Sequence, residues 1–200
     1  MKGIKHFCTI TKHKIMVMKY CFSVGLYRQG LLHDLSKYSP TEFFVGAKYY
    51  QGTRSPNNAE KEKKGYSSAW LHHKGRNKHH FEYWLDYSGK SDPVFIGMKM
   101  PANYVIEMFL DRIAASKVYQ GENYTQKSPL LYYEKSKSYH VIYPSSQKLL
   151  EKLLHILAEQ GEQSALCYAR KVIKQQRKTK IKKLFYILNY FKNAIICKNK

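Results

Sequence analysis

The chain has 200 residues and 44% of them are hydrophobic, which is enough to bury the core of one domain of ordinary size. Lysine and arginine number 35 against 14 acidic residues, so the formal net charge is +21. This composition argues against a disordered chain, and no apolar run reaches the roughly 18 residues of a membrane span. The 4 cysteines are widely spaced and form no CxxC pair, which argues against a zinc ribbon or a disulfide framework and favours a reducing cytoplasm.

The positive charge is unevenly distributed along the chain. All acidic residues precede Cys167, whereas residues 169–200 carry 11 basic residues and no acidic one. We therefore divide the chain into an all-helical domain at 1–168 and a basic C-terminal helical extension at 169–200. Within 1–168 the basic excess fits either a general bias toward Lys, Tyr, Asn and Ile or a positive field around a phosphorylated substrate.

The first elements are predicted to be helices. Residues 11–26 place apolar side chains at helical spacing, and His13 falls on the same stripe. The segment GLLHDLSKY at 30–38 predicts a second, short helix. Ser39, followed by a proline and then by Glu42, predicts a capping box at the start of a third helix.

The rest of the domain also reads as helical. Residues 52–67 are polar and rich in turn formers, which predicts a surface loop, and a helix is expected to begin near Ala69. Residues 101–119 and 146–160 have strong helical patterns, the second of them plainly amphipathic. Strand signals are scarce, so we predict an all-α fold.

Several polar residues lie on predicted inward faces. His33 and Asp34 would point about 100° apart on a helix, close to the angle between neighbouring ligands of an octahedral metal. His13 on its apolar stripe and Asp111 among apolar neighbours are candidates for the remaining ligands. Taken singly, His13 fits a hydrogen-bonded core histidine and Asp111 fits an ion pair with Arg112. The order of all four residues favours a divalent metal site.

These residues resemble the H…HD…D signature of the HD-domain metal-dependent phosphohydrolases, and LLHDLSK is similar to the LLHDIGK form of many members. The resemblance implies an HD-domain-like helical bundle in which His13, His33, Asp34 and Asp111 converge on one or two divalent ions, of Mn, Fe, Zn, Co, Ni or Mg. Within the superfamily the chain looks most like a small uncharacterised bacterial family with HDLSK, HH…NxHHxEYW and EMFLDRIAASKVYQG motifs. That family carries no activity to transfer.

A second histidine cluster follows in the segment AWLHHKGRNKHHFEYW. We expect His73 and His80 to ligate a second metal, with His72 and His79 as further candidates for metal or substrate. Two-metal HD proteins usually place these additional histidines further apart. The alternative is that the tryptophans form a core edge while the histidines line its wet rim.

Two charged residues are candidates for catalysis. Lys37 lies three residues after Asp34 and would neutralise charge developing on a phosphoryl oxygen if it faces the metal. Glu107, one turn before Asp111, would orient a ligand or accept a proton from water. The predicted function is a cytoplasmic phosphohydrolase acting on a nucleotide or small phosphate ester. The alternatives are a di-iron oxygenase and a non-catalytic nucleic-acid-binding protein with a structural metal.

The extension at 169–200 lies beyond both resemblances and is interpreted from its charge. Its basic residues would bind nucleic acid or an anionic membrane surface, and either association would weaken with salt. The alternative is a helix packed on the domain with a solvated basic face. No transmembrane segment is predicted in it, because its apolar run is too short.

Overall fold

The computed structural model describes residues 1–198, with side chains up to residue 183 and at 185–187. Helices dominate this range, which confirms the predicted all-α fold. The helices are α1 (Lys2–Val24), α2 (Tyr27–Leu32), α3 (Pro40–Tyr49), α4 (Pro56–Lys64), α5 (Ser68–Lys74), α6 (Ala102–Gln120), α7 (Ser128–Ser136), α8 (Pro144–Gln160) and α9 (Glu162–Lys198). Strands β1 (Leu85–Tyr87) and β2 (Phe95–Gly97) form a short antiparallel hairpin in which Leu85 pairs with Gly97.

Helix α6 is the centre of the core. Its residues are buried without interruption from Val105 to Leu110, and Ile113 and Ala114 are buried one turn further on. A helix that is apolar on nearly all sides is stable only when other elements surround it. Helices α1, α8 and α9 pack on α6 and provide that cover.

Helix α1 packs on α3 and α6 through a stripe of buried residues. These residues are His6, Ile10, His13, Val17, Cys21 and Val24. The helix ends at Gly25, whose φ of 85° is favourable for glycine. Helix α2 then folds back so closely that a Cβ on Gly30 would lie 2.9 Å from that of Cys21. The apolar spacing of α1 therefore carries His13 into the interior, as predicted, and α2 delivers the next residues beside it.

The predicted surface loop at 52–67 is wrong, because most of it forms helix α4. Its sequence, PNNAEKEKK, has no apolar stripe that would predict a buried face. The helix is anchored instead by the buried carboxylate of Glu60, which accepts hydrogen bonds from Ser67 (2.7 Å), Ser68 (2.9 Å) and Lys64 (3.0 Å). A polar anchor of this kind leaves no periodic signal in the sequence.

The predicted capping box at the start of α3 is also wrong. Ser39 is the N-cap residue and Pro40 begins the helix, but the Ser39 side chain makes no capping hydrogen bond. Glu42 turns away from the helix start and is buried between α3 and α5. Its carboxylate has partners there that are described with the site below.

Helix α9 is continuous across the division predicted at residues 168 and 169. Its first turns are buried at Ala165, Ala169 and Ile173, and Lys117 Nζ lies 2.6 Å from Glu162 Oε2. Among residues 1–198, no helix combines the length and the apolar character that crossing a bilayer requires.

Candidate metal centre

The segment after α2 turns two polar side chains into the protein. Helix α2 ends at Leu32, His33 is its C-cap residue, and a 3-10 helix begins at Leu35, so His33 and Asp34 do not share the single helix that was predicted. Asp34 has φ 54° and is the only non-glycine residue among the described residues with a positive φ. Asp enters this left-handed region more readily than most residues. Lys14 Nζ donates to the carbonyl oxygens of Leu31 (2.8 Å) and His33 (2.9 Å), which stabilises the turn.

A first group of ligand atoms forms where this turn meets α1 and α6. His13 Nε2 lies 2.9 Å from Asp111 Oδ1 and 3.5 Å from Asp34 Oδ2. His33 Nε2 lies 3.3 Å from Asp34 Oδ2 and 3.7 Å from Asp111 Oδ1. One atom from each of these four residues lies within 4.8 Å of all the others, so the group can hold a metal ion.

A second group lies on the other side of Asp34. Asp34 Oδ1 is 3.3 Å from His73 Nε2 and 3.4 Å from His79 Nε2, and His73 Nε2 is 2.9 Å from His80 Nε2. These four residues also meet within 4.8 Å and can hold an ion. His79 and His80 lie in the turn between α5 and the 3-10 helix Phe81–Trp84, so the directions of helical side chains do not apply to them. The two oxygens of Asp34 thus face two separate sets of histidines.

Glu107 fixes one histidine of each group. Its Oε1 accepts from Nδ1 of His33 at 3.0 Å and lies 3.3 Å from Nδ1 of His79. An imidazole that donates from Nδ1 keeps the lone pair on Nε2 available for a metal. The prediction that Glu107 orients a ligand therefore fits its position, because it contacts the far nitrogen of two candidate ligands.

Glu42 orients histidines of α5 as Glu107 orients His33 and His79, and the sequence did not indicate this role. Its two oxygens accept from Nδ1 of His72 at 2.6 Å and Nδ1 of His73 at 2.8 Å. Ser36 Oγ and Asn77 Nδ2 both lie 3.2 Å from Nδ1 of His73 as well. His73 therefore points Nε2 toward Asp34, whereas His72 is held against Glu42 and belongs to neither metal-binding group.

Several atoms at the centre lack hydrogen bonds of correct geometry although they are buried. They are the Nε2 atoms of His13, His33 and His79 and both carboxylate oxygens of Asp34. Buried polar atoms in folded proteins almost always have a partner, so a concentration of exceptions requires an explanation. All of these atoms face the two groups, and a cation in each group would satisfy them. The donor set therefore fits the divalent ion that the sequence predicts.

The carboxylates of the site remain ionised in spite of burial. Burial alone would raise the pKa of Asp34, but the charges of His33, Lys37 and His73 hold that pKa well below its usual range. Burial acts on Asp111 in the same way, and the adjacent imidazoles of His13 and His33 keep its pKa low. Both side chains are thus acceptor-only groups near neutral pH, which is the state a metal requires.

Lys37 lies at the more exposed edge of the site. Its Nζ atom is 2.6 Å from Asp34 Oδ2, and the side chain is 28% exposed. Burial would lower the pKa of Lys37, but Asp34 and Asp111 raise it above its ordinary value. Lys37 is therefore a cation held beside the ligand atoms, and it reaches Asp34 from a 3-10 helix and not from the shared α-helix that was predicted.

The structure brings together all six residues predicted as metal ligands. They are His13, His33, Asp34, Asp111, His73 and His80. His79, ranked lower from the sequence, joins the second group, and His72 does not. The adjacent histidines could be sorted only with the fold in hand, because their assignment depends on which nitrogen meets a carboxylate.

Comparison with known proteins gives a family without a function. The sequence model of a family of unknown function, DUF5662, matches residues 2–157. The chain belongs to this family. The matched segment contains every residue of both metal-binding groups and ends in α8, before α9 begins. No curated protein and no solved structure matches the chain, so the resemblance to the HD superfamily remains a prediction.

Proposed function

We propose that the chain is a metal-dependent phosphohydrolase with an HD-type centre for two divalent ions, acting on a nucleotide or another small phosphate ester. The observation that carries the proposal is the sharing of Asp34 between two buried groups of ligand atoms. His13, His33 and Asp111 complete the first group, and His73, His79 and His80 complete the second. The order H…HD…D along the chain supports the same assignment.

The spacing of the ligand atoms supports two ions. Ligand atoms at about 2.1 Å from one ion are separated by about 3.0 Å at an octahedral angle and about 3.4 Å at a tetrahedral one. The closest pairs in the two groups span 2.9 to 3.5 Å. Nitrogen and oxygen lone pairs repel one another at these distances, so a cation or a proton between them must stabilise the arrangement.

The donor types narrow the choice of metal. The first group offers two imidazoles and two carboxylates, and the second offers three imidazoles and one carboxylate. Imidazole suits Zn, Fe, Co and Ni, and Mn accepts mixed sets of this kind, whereas Mg prefers oxygen ligands and keeps its waters. We therefore expect Mn, Fe, Zn, Co or Ni in preference to Mg, most strongly in the second group.

The residues around the ions have separate tasks in this mechanism. A divalent ion bound there would lower the pKa of a water molecule and would polarise a phosphoryl oxygen. Glu107 and Glu42 hold the imidazoles in the tautomer that leaves Nε2 free. Lys37 provides a fixed positive charge beside Asp34 that would neutralise charge on the phosphoryl group during transfer.

Access to the centre favours a substrate that arrives past Lys37. The side chains of Lys37 and Asp111 are 28% and 16% exposed, whereas those of His33 and Asp34 are 0% and 2% exposed. A phosphate group approaching from this side would meet the ammonium of Lys37 first.

The unpaired thiols of Cys8, Cys21 and Cys167 are compatible with the reducing cytoplasm in which we place the protein.

The experiment that tests this function combines metal analysis with an assay of phosphate esters. Protein purified without chelator should contain close to two equivalents of transition metal, and a panel of nucleotides and small phosphate esters should show hydrolysis that needs the metal. Asp34→Ala should remove both the metal and the activity. Metal-free protein with full activity would refute the proposal, and so would fully loaded protein that hydrolyses no ester in the panel.

A di-iron oxygenase is a second candidate because the same sharing of Asp34 between two histidine-rich groups suits a pair of irons. This function would require two irons per chain, visible absorption that changes on reduction, and consumption of oxygen. Zinc has no redox chemistry, so a zinc-loaded preparation that shows the protein's enzymatic activity would exclude the oxygenase function.

A further inference from the structure

Helix α9 leaves the domain after about four turns. Arg170 Nε donates to the carbonyl oxygen of Ser23 at 2.8 Å, and the guanidinium of Arg177 donates to the carbonyl oxygen of Gly25. These contacts fasten the first part of the helix to the end of α1. Beyond Arg177 every described side chain, at 178–183 and 185–187, is exposed.

The part of α9 from residue 178 to residue 187, here called the projecting segment, exposes large apolar side chains. Ile181 is 54% exposed and Phe185 is 63% exposed, and the two lie one helical turn apart on the same face. Tyr186 is 76% exposed and Ile187 is 38% exposed, and they lie about 100° and 200° around the helix from Phe185. Several exposed apolar side chains close together on a helix outside the domain indicate a surface that a membrane or another molecule covers.

The cations of the projecting segment surround this apolar face. Lys180 and Lys182, one residue before and one after Ile181, lie about 100° to either side of it, and Lys178, three residues before Ile181, lies on the same face. No acidic residue occurs after Glu162 anywhere in the sequence. A partner of the projecting segment must therefore be negatively charged and must also offer an apolar environment to aliphatic side chains.

We propose that the projecting segment lies in the plane of an anionic lipid surface, with Ile181 and Phe185 in the boundary between headgroups and acyl chains. Lysine stems run along the apolar boundary while their ammonium groups reach the phosphates, which suits the positions of Lys180 and Lys182 to either side of Ile181. Nucleic acid would satisfy the lysines and would stack on Phe185 and Tyr186, but it offers no apolar environment to Ile181. The aliphatic side chain of Ile181 therefore favours lipid.

The test is the binding of the full chain, with its metal, to vesicles of phosphatidylcholine with and without phosphatidylglycerol. We expect binding only to the anionic vesicles, and a loss of binding as salt is raised. Ile181→Ser combined with Phe185→Ser should lower the partition coefficient by roughly a hundredfold, about tenfold for each apolar side chain withdrawn from the boundary.

A second variant tests the charges. Neutralising Lys180, Lys182 and Lys183 to glutamine should lower vesicle binding by about a hundredfold, since one lysine near an anionic bilayer contributes roughly fivefold. The matched control neutralises three exposed lysines on the domain surface, Lys63→Gln, Lys127→Gln and Lys148→Gln, and should retain most of the binding. Metal content and helicity should be equal in all variants.

Three results would overturn the proposal. The first is unchanged vesicle binding after Ile181→Ser with Phe185→Ser, because a purely electrostatic attachment does not insert the apolar face. The second is retention on single-stranded or duplex nucleic acid by a chain that stays in solution with anionic vesicles. The third is a concentration-dependent dimer that the same double substitution abolishes while vesicles bind neither form, which would make a second copy of the chain the partner.

Discussion

Replacing Glu107 by glutamine should weaken metal binding in both groups at once. Its carboxylate contacts Nδ1 of His33, a ligand of the first group, and Nδ1 of His79, a ligand of the second. Glutamine has nearly the same shape, but it removes the negative charge that makes both imidazoles better donors. Loss of such a supporting group typically lowers metal affinity by about 10–100-fold, and we expect this loss at each of the two sites.

The companion substitution Glu42→Gln should affect one site only. Glu42 contacts Nδ1 of His73 in the second group and of His72, which belongs to neither group. We therefore expect the first ion to bind with unchanged affinity and the second to bind about 10–100-fold more weakly. Because His73 Nδ1 also lies 3.2 Å from Ser36 Oγ, the loss should fall at the lower end of that range.

These affinities can be measured by dialysing each variant against a graded series of chelator-buffered zinc and counting the metal retained per chain. Glu151→Gln is the matched control, since that carboxylate accepts from Tyr133 Oη at 2.9 Å well away from the centre. It should behave as the unmodified chain does. Equal and full retention in Glu107→Gln would refute the assignment of Glu107, and loss of both ions in Glu42→Gln would mean that the two groups are not separate sites.

Four other perturbations have expected outcomes. Asp111→Ala should strip the ion of the first group while the second group retains its own, as metal counting will show. Lys37→Ala should keep both ions and lower phosphate affinity or turnover, so unchanged kinetics would place Lys37 outside the reaction. Metal affinity should fall on acidification, and the fall should begin above pH 6.5. Burial lowers the pKa of His33, but Asp34, Asp111 and Glu107 raise it well above 6.5, so protons compete with the metal for Nε2 before the pH reaches that value. A metal affinity independent of pH between 6 and 8 would contradict this. Gly46→Ala should destabilise the fold by about 1–3 kcal/mol in urea unfolding, because the new Cβ would overlap the His6 imidazole, and the substitution should cost much less in a His6→Ala background.

The sequence by itself determined the helices that form the core and the first group of ligands. The apolar spacing of α1 and α6 already places His13 and Asp111 on inward faces, because in a helix the face of a residue follows from its position in the repeat. The polar pair His33 and Asp34 stood out because it follows an apolar run, although the helix predicted to hold both residues ends at Leu32. These features depend on neighbours within a few residues.

Tertiary structure decided the remaining features of the site. Glu42 looked like a local capping residue, yet its partners are 30 and 31 residues away, and Glu107 meets His33 across 74 residues. Helix α4 was missed because the buried carboxylate of Glu60 anchors it where an apolar stripe would be expected. Whether His79 or His72 belongs to a metal-binding group also depended on which carboxylate, distant in sequence, contacts the Nδ1 atom of each imidazole. Hydrogen bonds between remote polar groups have no period along the chain, so only the packing of the helices fixes them.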